Sequence, residues 1–198
     1  MSFYNFGRAV TTAFVRIIYR LRFEGLENIP EDRGFILCSN HISDLDPILV
    51  AIRVKPQCFF MAKEELFKNP FFTWFLKKMG AFPVKRGEGA ASLKRAAEIL
   101  EEGKTFCIFP EGTRSKTGSL GRPKSGISFL MSELRVPAQP VAIVTPGQKM
   151  KVFQKTKIVV CDPVNFDDLK VEEGDRRALR AVAAKLMEPI AESIEKYS

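Results

Sequence analysis

Two strand-to-loop junctions in this chain carry side chains able to do chemistry together. The first reads Ser39-Asn40-His41-Ile42-Ser43-Asp44-Leu45-Asp46 and contains the only histidine of the chain, five residues before Asp46. An apolar run precedes it and Pro47 follows, so the pair spans a strand–loop–helix corner. On one continuous helix a five-residue step would turn the two side chains to different faces; across a corner they can meet. An aspartate that accepts from one imidazole nitrogen fixes the tautomer and leaves the other nitrogen to take a proton. That is general-base chemistry, worth about 10² to 10⁴ in rate. By itself the spacing fits equally a helix cap, with Asp46 as N-cap, Pro47 at the first helical position and His41 a loop residue.

The second junction is residues 109–115, F-P-E-G-T-R-S. Gly112 permits unusual backbone angles. Thr113, Arg114 and Ser115 offer hydroxyls, a planar guanidinium and free amides, a set that suits a phosphate. A third basic point, Lys85-Arg86-Gly87, also follows a short apolar run. Singly, each of these reads as a solvated polar turn. Together they place His/Asp, Lys/Arg and Arg at three strand ends that would share one edge of a parallel sheet.

The elements that position them follow from periodicity. Over the first 22 residues Phe3, Phe6, Val10, Ala13, Phe14, Ile17, Ile18 and Leu21 recur in steps of three and four, opposite Arg8, Arg16 and Arg20. This predicts a basic amphipathic helix, either lying in a membrane interface or packed on its own domain. Short apolar runs predict strands at 34–39, 58–61, 81–84, 105–109, 139–145 and 157–161. Helices are expected at 47–52, 66–78, 90–102, 126–134 and 175–196, the last with a kink at Pro189. Alternating strands and helices predict an α/β fold, a mostly parallel sheet with helices on both faces and its site at the strand carboxyl ends. Residues 1–22 form a membrane-associating helix in this reading and 23–198 a single domain.

Composition narrows the classes. The chain has 198 residues, 45% of them apolar and 27% charged, enough for one domain with a real core. The net charge of +8 attracts anions: nucleic acid, anionic lipid head groups or a phosphorylated substrate. The basic residues are scattered and form no recognised nucleic-acid motif. The cysteines at 38, 58, 107 and 161 form no C-x-x-C pair and read as reduced, buried thiols. One histidine leaves no zinc set. No stretch approaches the roughly 20 apolar residues of a membrane span, and no secretory signal is evident, so the expected location is intracellular with peripheral membrane contact. The cluster Phe71, Phe72, Trp74 and Phe75 beside Lys77 and Lys78 is read as core packing, with membrane contact as the alternative.

These motifs resemble those of the 1-acyl-glycerol-3-phosphate acyltransferases, which acylate lysophosphatidic acid. Asn40-His41 with Asp46 matches the N-H-x4-D signature of that family. Residues 80–86 stand in the place of its glycine-aromatic-basic block, residues 109–115 match F-P-E-G-T-R-S in full, and residues 136–141 match its fourth block. The resemblance spans roughly residues 35 to 145. Lys85 stands where an acidic residue is common, and Gln139 where an aliphatic one is.

The resemblance implies that His41 deprotonates the acceptor hydroxyl and that Asp46 orients His41. It implies that Arg86 and Arg114, with Lys85 and Thr113, hold the acceptor's phosphate, that Glu111 and Gly112 shape the glycerol pocket with Glu111 bonding a hydroxyl, and that Pro137 lines the acyl or acceptor side. The implied partners are a lysophospholipid acceptor, acyl-CoA or acyl-carrier protein as donor, and an anionic membrane on its cytoplasmic face. No metal or cofactor is implied, and no nucleic acid. Acylation of another lysophospholipid or of glycerol phosphate, non-catalytic lipid binding, nucleic-acid binding and a Cys38 nucleophile remain as alternatives.

Overall fold

The computed structural model describes residues 3–31, 33–54, 57–85, 87–169 and 176–197. Seven strands form one sheet: β1 (Leu21–Glu24), β2 (Ile36–Ser39), β3 (Cys58–Lys63), β4 (Ala81–Val84), β5 (Thr105–Ile108), β6 (Ala138–Val144) and β7 (Thr156–Val160). Their spatial order is β1-β7-β6-β2-β5-β3-β4. Only β6 and β7 pair antiparallel; every other neighbour is parallel. The expected architecture is thus observed, a mostly parallel sheet with helices on both faces.

Side-chain alternation builds two cores. Leu37, Cys107, Val141, Ile143 and Ile158 face one side, where Val15 of α1 (Phe3–Ile18) and Leu49 of α2 (Asp46–Ala51) cover them. Ile36, Cys38, Phe106 and Ala138 face the other. There α4 (Gly89–Glu101), α5 (Gly126–Leu134) and α6 (Arg176–Tyr197) supply Ile99, Ile127, Leu130 and Leu186. Strands buried on both faces read as continuous apolar runs, which is why the central ones were legible.

Several elements differ from expectation. The first helix stops at Ile18 rather than at 22; Arg20 turns the chain at φ 43, and Leu21–Glu24 becomes β1 on the sheet edge. Val15 faces the core, while Val10, Ala13 and Ile17 of the predicted apolar stripe are exposed. The expected helix at 66–78 divides into a 3₁₀ turn at Glu64–Phe67 and α3 (Pro70–Lys78). The Asn69 side chain accepts from the Phe72 N–H at 3.1 Å, so asparagine caps the helix and Pro70 begins it. No residue of α3 is buried, and Phe71 is 76% exposed, so the aromatic cluster is not core packing. α6 runs from Arg176 to Tyr197 with Pro189 inside it, in line with the expected long helix. No described helix is long and apolar enough to cross a membrane.

Gly80 joins α3 to β4 at φ 93, and a Cβ there would come within 2.4 Å of the Cys58 carbonyl oxygen. Neither the angle nor the contact tolerates a side chain. Gly80→Ala should lower stability by about 3 kcal/mol, read as an earlier midpoint in chemical denaturation.

Candidate active site

The parallel register carries β2, β3, β4, β5 and β6 to a common edge at their carboxyl ends. The loop leaving β2 contains the expected pair. His41 Nδ1 lies 2.8 Å from Asp46 Oδ2, with Asp46 fully buried and His41 18% exposed. The same oxygen accepts the Ile42 N–H at 2.6 Å and the Ser43 N–H at 2.7 Å. Asp46 therefore does not cap its helix: Leu45 holds the N-cap position, and Asp46 is the first helical residue with its carboxylate turned back into the loop. With Asp46 ionised, Nδ1 carries the proton, which leaves Nε2 as the acceptor. Phe109 stacks on the imidazole, ring centroids 4.1 Å apart at 21°, and fixes its plane.

Two side chains hold this loop from behind. Asn40 is 1% exposed. Its Nδ2 donates to the Ile143 carbonyl at 2.9 Å and its Oδ1 accepts the Ile143 N–H at 2.8 Å. It thus continues the β2–β6 pairing through a side chain, where the backbone has already turned away. Glu111, 7% exposed, accepts the His41 N–H at 2.9 Å on Oε1 and the Gly121 N–H at 2.7 Å on Oε2. A Cβ on Gly121 would lie 2.7 Å from Oε2, so that approach requires glycine. The Ser115 N–H completes the clamp on the His41 carbonyl at 2.8 Å.

The phosphate-binding candidates divide. Arg114 lies on the β5 loop beside the pair, and its guanidinium meets Asp44 at 2.5 Å, both side chains exposed. Gly112 (φ 71) and Thr113 are exposed in the same loop, and the Lys124 side chain crosses Gly112, its Nζ 2.6 Å from where a Cβ would stand. Lys85 shares the edge but follows β4, three strands from β2, about 14 Å away at ordinary strand spacing. It meets Glu64 at 3.9 Å. Arg86 lies outside the described residues. Pro137 is not brought to the site: it precedes the first residue of β6, whereas β6 reaches the level of His41 at Ile143, about 20 Å along the strand. Lys63 and Lys124 were missed by the sequence reading. Lys63 ends β3, one strand nearer to His41 than Lys85, and the end of an apolar run was its available signal.

Cys38 is fully buried on the opposite side from α2, and burial pushes its thiol far above the ordinary range. A thiolate nucleophile does not form there. All four cysteines are free thiols, and Cys161 is the one not fully buried. Among the described residues no group of three or more His, Cys, Asp or Glu side chains could hold a metal ion.

Asn40→Ala would leave the Ile143 N–H and carbonyl unpaired in the core. It should cost about 3 kcal/mol in denaturant unfolding. Glu111→Gln should retain the fold but put an amide NH₂ against one of two backbone N–H groups. Activity should fall by about tenfold or more, with the loss in kcat because the His41 backbone is what moves.

Known proteins resemble this chain in sequence and fold. The acyltransferase family model matches residues 20–144. A 1-acyl-sn-glycerol-3-phosphate acyltransferase of Bacillus subtilis is 35% identical over 146 residues, 72% of this chain and 72% of its own length. A chloroplastic enzyme of the same name from Arabidopsis thaliana is 35% identical over 67% of this chain but only 38% of its own length. The crystal structure of a 1-acyl-sn-glycerophosphate (LPA) acyltransferase from Thermotoga maritima superposes with a TM-score of 0.76 at 27% identity, covering 98% of this chain and 77% of that one. With the His41–Asp46 pair in place at the edge of such a sheet, the chain belongs to the acyltransferase family, among its 1-acyl-sn-glycerol-3-phosphate acyltransferases.

Proposed function

We propose that the chain transfers a fatty acyl group from a thioester donor to the sn-2 hydroxyl of lysophosphatidate, giving phosphatidate. The reading rests above all on one observation, the buried Asp46 carboxylate 2.8 Å from His41 Nδ1 at a basic strand edge. His41 Nε2 takes the hydroxyl proton as the oxygen attacks the thioester carbonyl. Asp46 holds the ring and stabilises the imidazolium. The tetrahedral intermediate collapses, the C–S bond breaks, and the proton passes from His41 to the departing thiolate. Acyl-CoA and acyl-carrier protein both present this thioester.

Arg114 receives the acceptor's phosphate, exchanging Asp44 for it, with Lys85 contributing charge at the same edge and Arg86 adding a further positive charge next to it in sequence. A guanidinium is suited to this because it bonds phosphate oxygens in pairs. Thr113 and Gly112 line the approach. Glu111 acts as a positioning residue, since its two oxygens already hold the His41 and Gly121 amides. Asp46 and His41 must be prealigned, because a misplacement of about 1 Å in such a pair can cost 10²-fold.

The protein works as a peripheral protein on the cytoplasmic face of the membrane, where both substrates' acyl chains reside. The amphipathic α1 presents exposed Val10 and Ile17 beside the basic Arg16, and the acyltransferase domain begins with β1 at Leu21 rather than at residue 23. Basic and apolar residues on one helix suit an anionic interface.

The deciding assay is purified protein with labelled acyl-CoA, and separately acyl-carrier protein, against lysophosphatidate. Phosphatidate is the expected product. His41→Ala and Asp46→Asn should each lose about 10³-fold or more while keeping native circular dichroism, and Cys38→Ala should stay active. Turnover that survives His41→Ala, or vanishes with Cys38→Ala in a folded protein, would overturn the mechanism. Lysophosphatidylcholine and glycerol 3-phosphate serve as competing acceptors; preference for either would reassign the substrate.

A further inference from the structure

The connector between β6 and β7 does not look like an ordinary water-facing turn. It contains Lys149-Met150-Lys151-Val152-Phe153-Gln154-Lys155, and Val152 and Phe153 are 61% and 69% exposed. Phe153 holds φ 60, a left-handed conformation that a bulky side chain rarely adopts, so the fold maintains a strained backbone in order to present an aromatic ring outward. The Phe153 N–H donates to the Ile18 carbonyl at 2.6 Å, which fixes the connector to the end of α1, where Ile17 is itself 72% exposed. Lys149, Lys151, Lys155, Arg16 and Arg20 are all exposed around this point. No carboxylate occurs between residues 139 and 161.

Topology places this patch at the catalytic edge. β6 runs parallel to β2, so the connector leaves the sheet on the side where the His41 loop does. β1 runs antiparallel to β6 through β7, so the end of α1 arrives there too. On the far side of β2, α3 starts just beyond the carboxyl end of β3 and exposes Phe71, Phe72 and Trp74 near Lys77 and Lys78. Apolar, basic patches thus flank the His41 loop on its left and its right along one edge.

We propose that the β6–β7 connector is a membrane foot that acts with α3, so that the carboxyl edge of the sheet rests on an anionic bilayer with His41 between the two contacts. The proposal deepens the lipid-substrate reading above. It commits to a bilayer rather than an acidic protein, because Val152, Phe153 and Ile17 supply apolar surface that an interface would bury and the lysines supply the attraction to anionic head groups. In this pose the acceptor reaches His41 without leaving the membrane.

Trp74 is the only tryptophan and reports on the α3 contact. Full-length protein is titrated with vesicles of phosphatidylglycerol and phosphatidylcholine, with quenching of Trp74 by brominated lipid and flotation as readouts. The test variant is V152S/F153N; asparagine tolerates the left-handed backbone, so the fold survives removal of the ring. Apparent vesicle affinity should fall about tenfold, a loss of about 1.4 kcal/mol by RT ln K, while activity on lysophosphatidate below its micellar concentration with a short-chain acyl-CoA stays unchanged. Phe71→Ser/Phe72→Ser should weaken binding comparably, and neutral vesicles should bind poorly. Unaltered binding of folded V152S/F153N overturns the proposal. So does conversion of a dimer to a monomer with vesicle affinity retained, which would assign the patch to a second copy, and so does loss of affinity for acyl-carrier protein alone. Vesicle binding is read without turnover, so a protein that binds through the connector but acylates nothing would refute the proposed reaction and leave the foot standing.

Discussion

Everything at the carboxyl edge around His41 depends on pairing one carboxylate that is kept out of water. Asp46 is fully buried, and an unpaired buried carboxylate would cost more than a domain of this size can carry. The chain meets the constraint locally, with the Ile42 and Ser43 amides and the His41 ring all directed at Oδ2. That requirement determines the shape of the loop after β2, because only a tight corner brings two successive amides to one oxygen. The loop shape in turn leaves the Asn40 side chain against β6 and the His41 amide against Glu111. The geometry of the His41–Asp46 pair is thus a by-product of satisfying a buried charge at Oδ2.

The second consequence is how far the support extends. The loop after β5 supplies Phe109 for the imidazole face, Glu111 for the His41 amide and Ser115 for its carbonyl. β6 supplies Ile143 for Asn40. Three neighbouring parallel strands therefore converge on a single histidine, and the F-P-E-G-T-R-S segment and the N-H-x4-D corner act as one unit. One segment carries the histidine and the other holds it. Separating them would leave a histidine with correct identity and wrong orientation.

Sequence reasoning reached what local pattern encodes and missed what tertiary pairing decides. The strand before His41 was legible because both its faces are buried, and the start of α2 because proline fits the first helical turn. β1 was hidden because Leu21 falls in step with the preceding helical stripe and the four residues of the strand are too few to show an alternation of their own. Residue type and Pro47 fit Asp46 to a helix cap as well as to a partner for His41, and only the folded corner, which turns its carboxylate back to the ring, decides between them. Glu111 carried no sign that its partners would be backbone amides 70 and 10 residues distant. Pro137 belongs to a recognisable block, yet the register of β6 sends that block to the opposite edge.

Burial also separates the permanent from the exchangeable in the two acid–base pairs of this loop. Asp46 with His41 is shielded, so breaking it would strand a charge in the interior, and the fold holds it through every step. Asp44 with Arg114 lies in water, 76% and 43% exposed, where an ion pair contributes little net stability. A phosphate that offers two oxygens to the guanidinium can displace a single exposed carboxylate at small cost. The exposed pair therefore keeps Arg114 extended toward the His41 loop without committing it. Two aspartates only two residues apart serve opposite ends, and the depth at which the loop buries each is what assigns them.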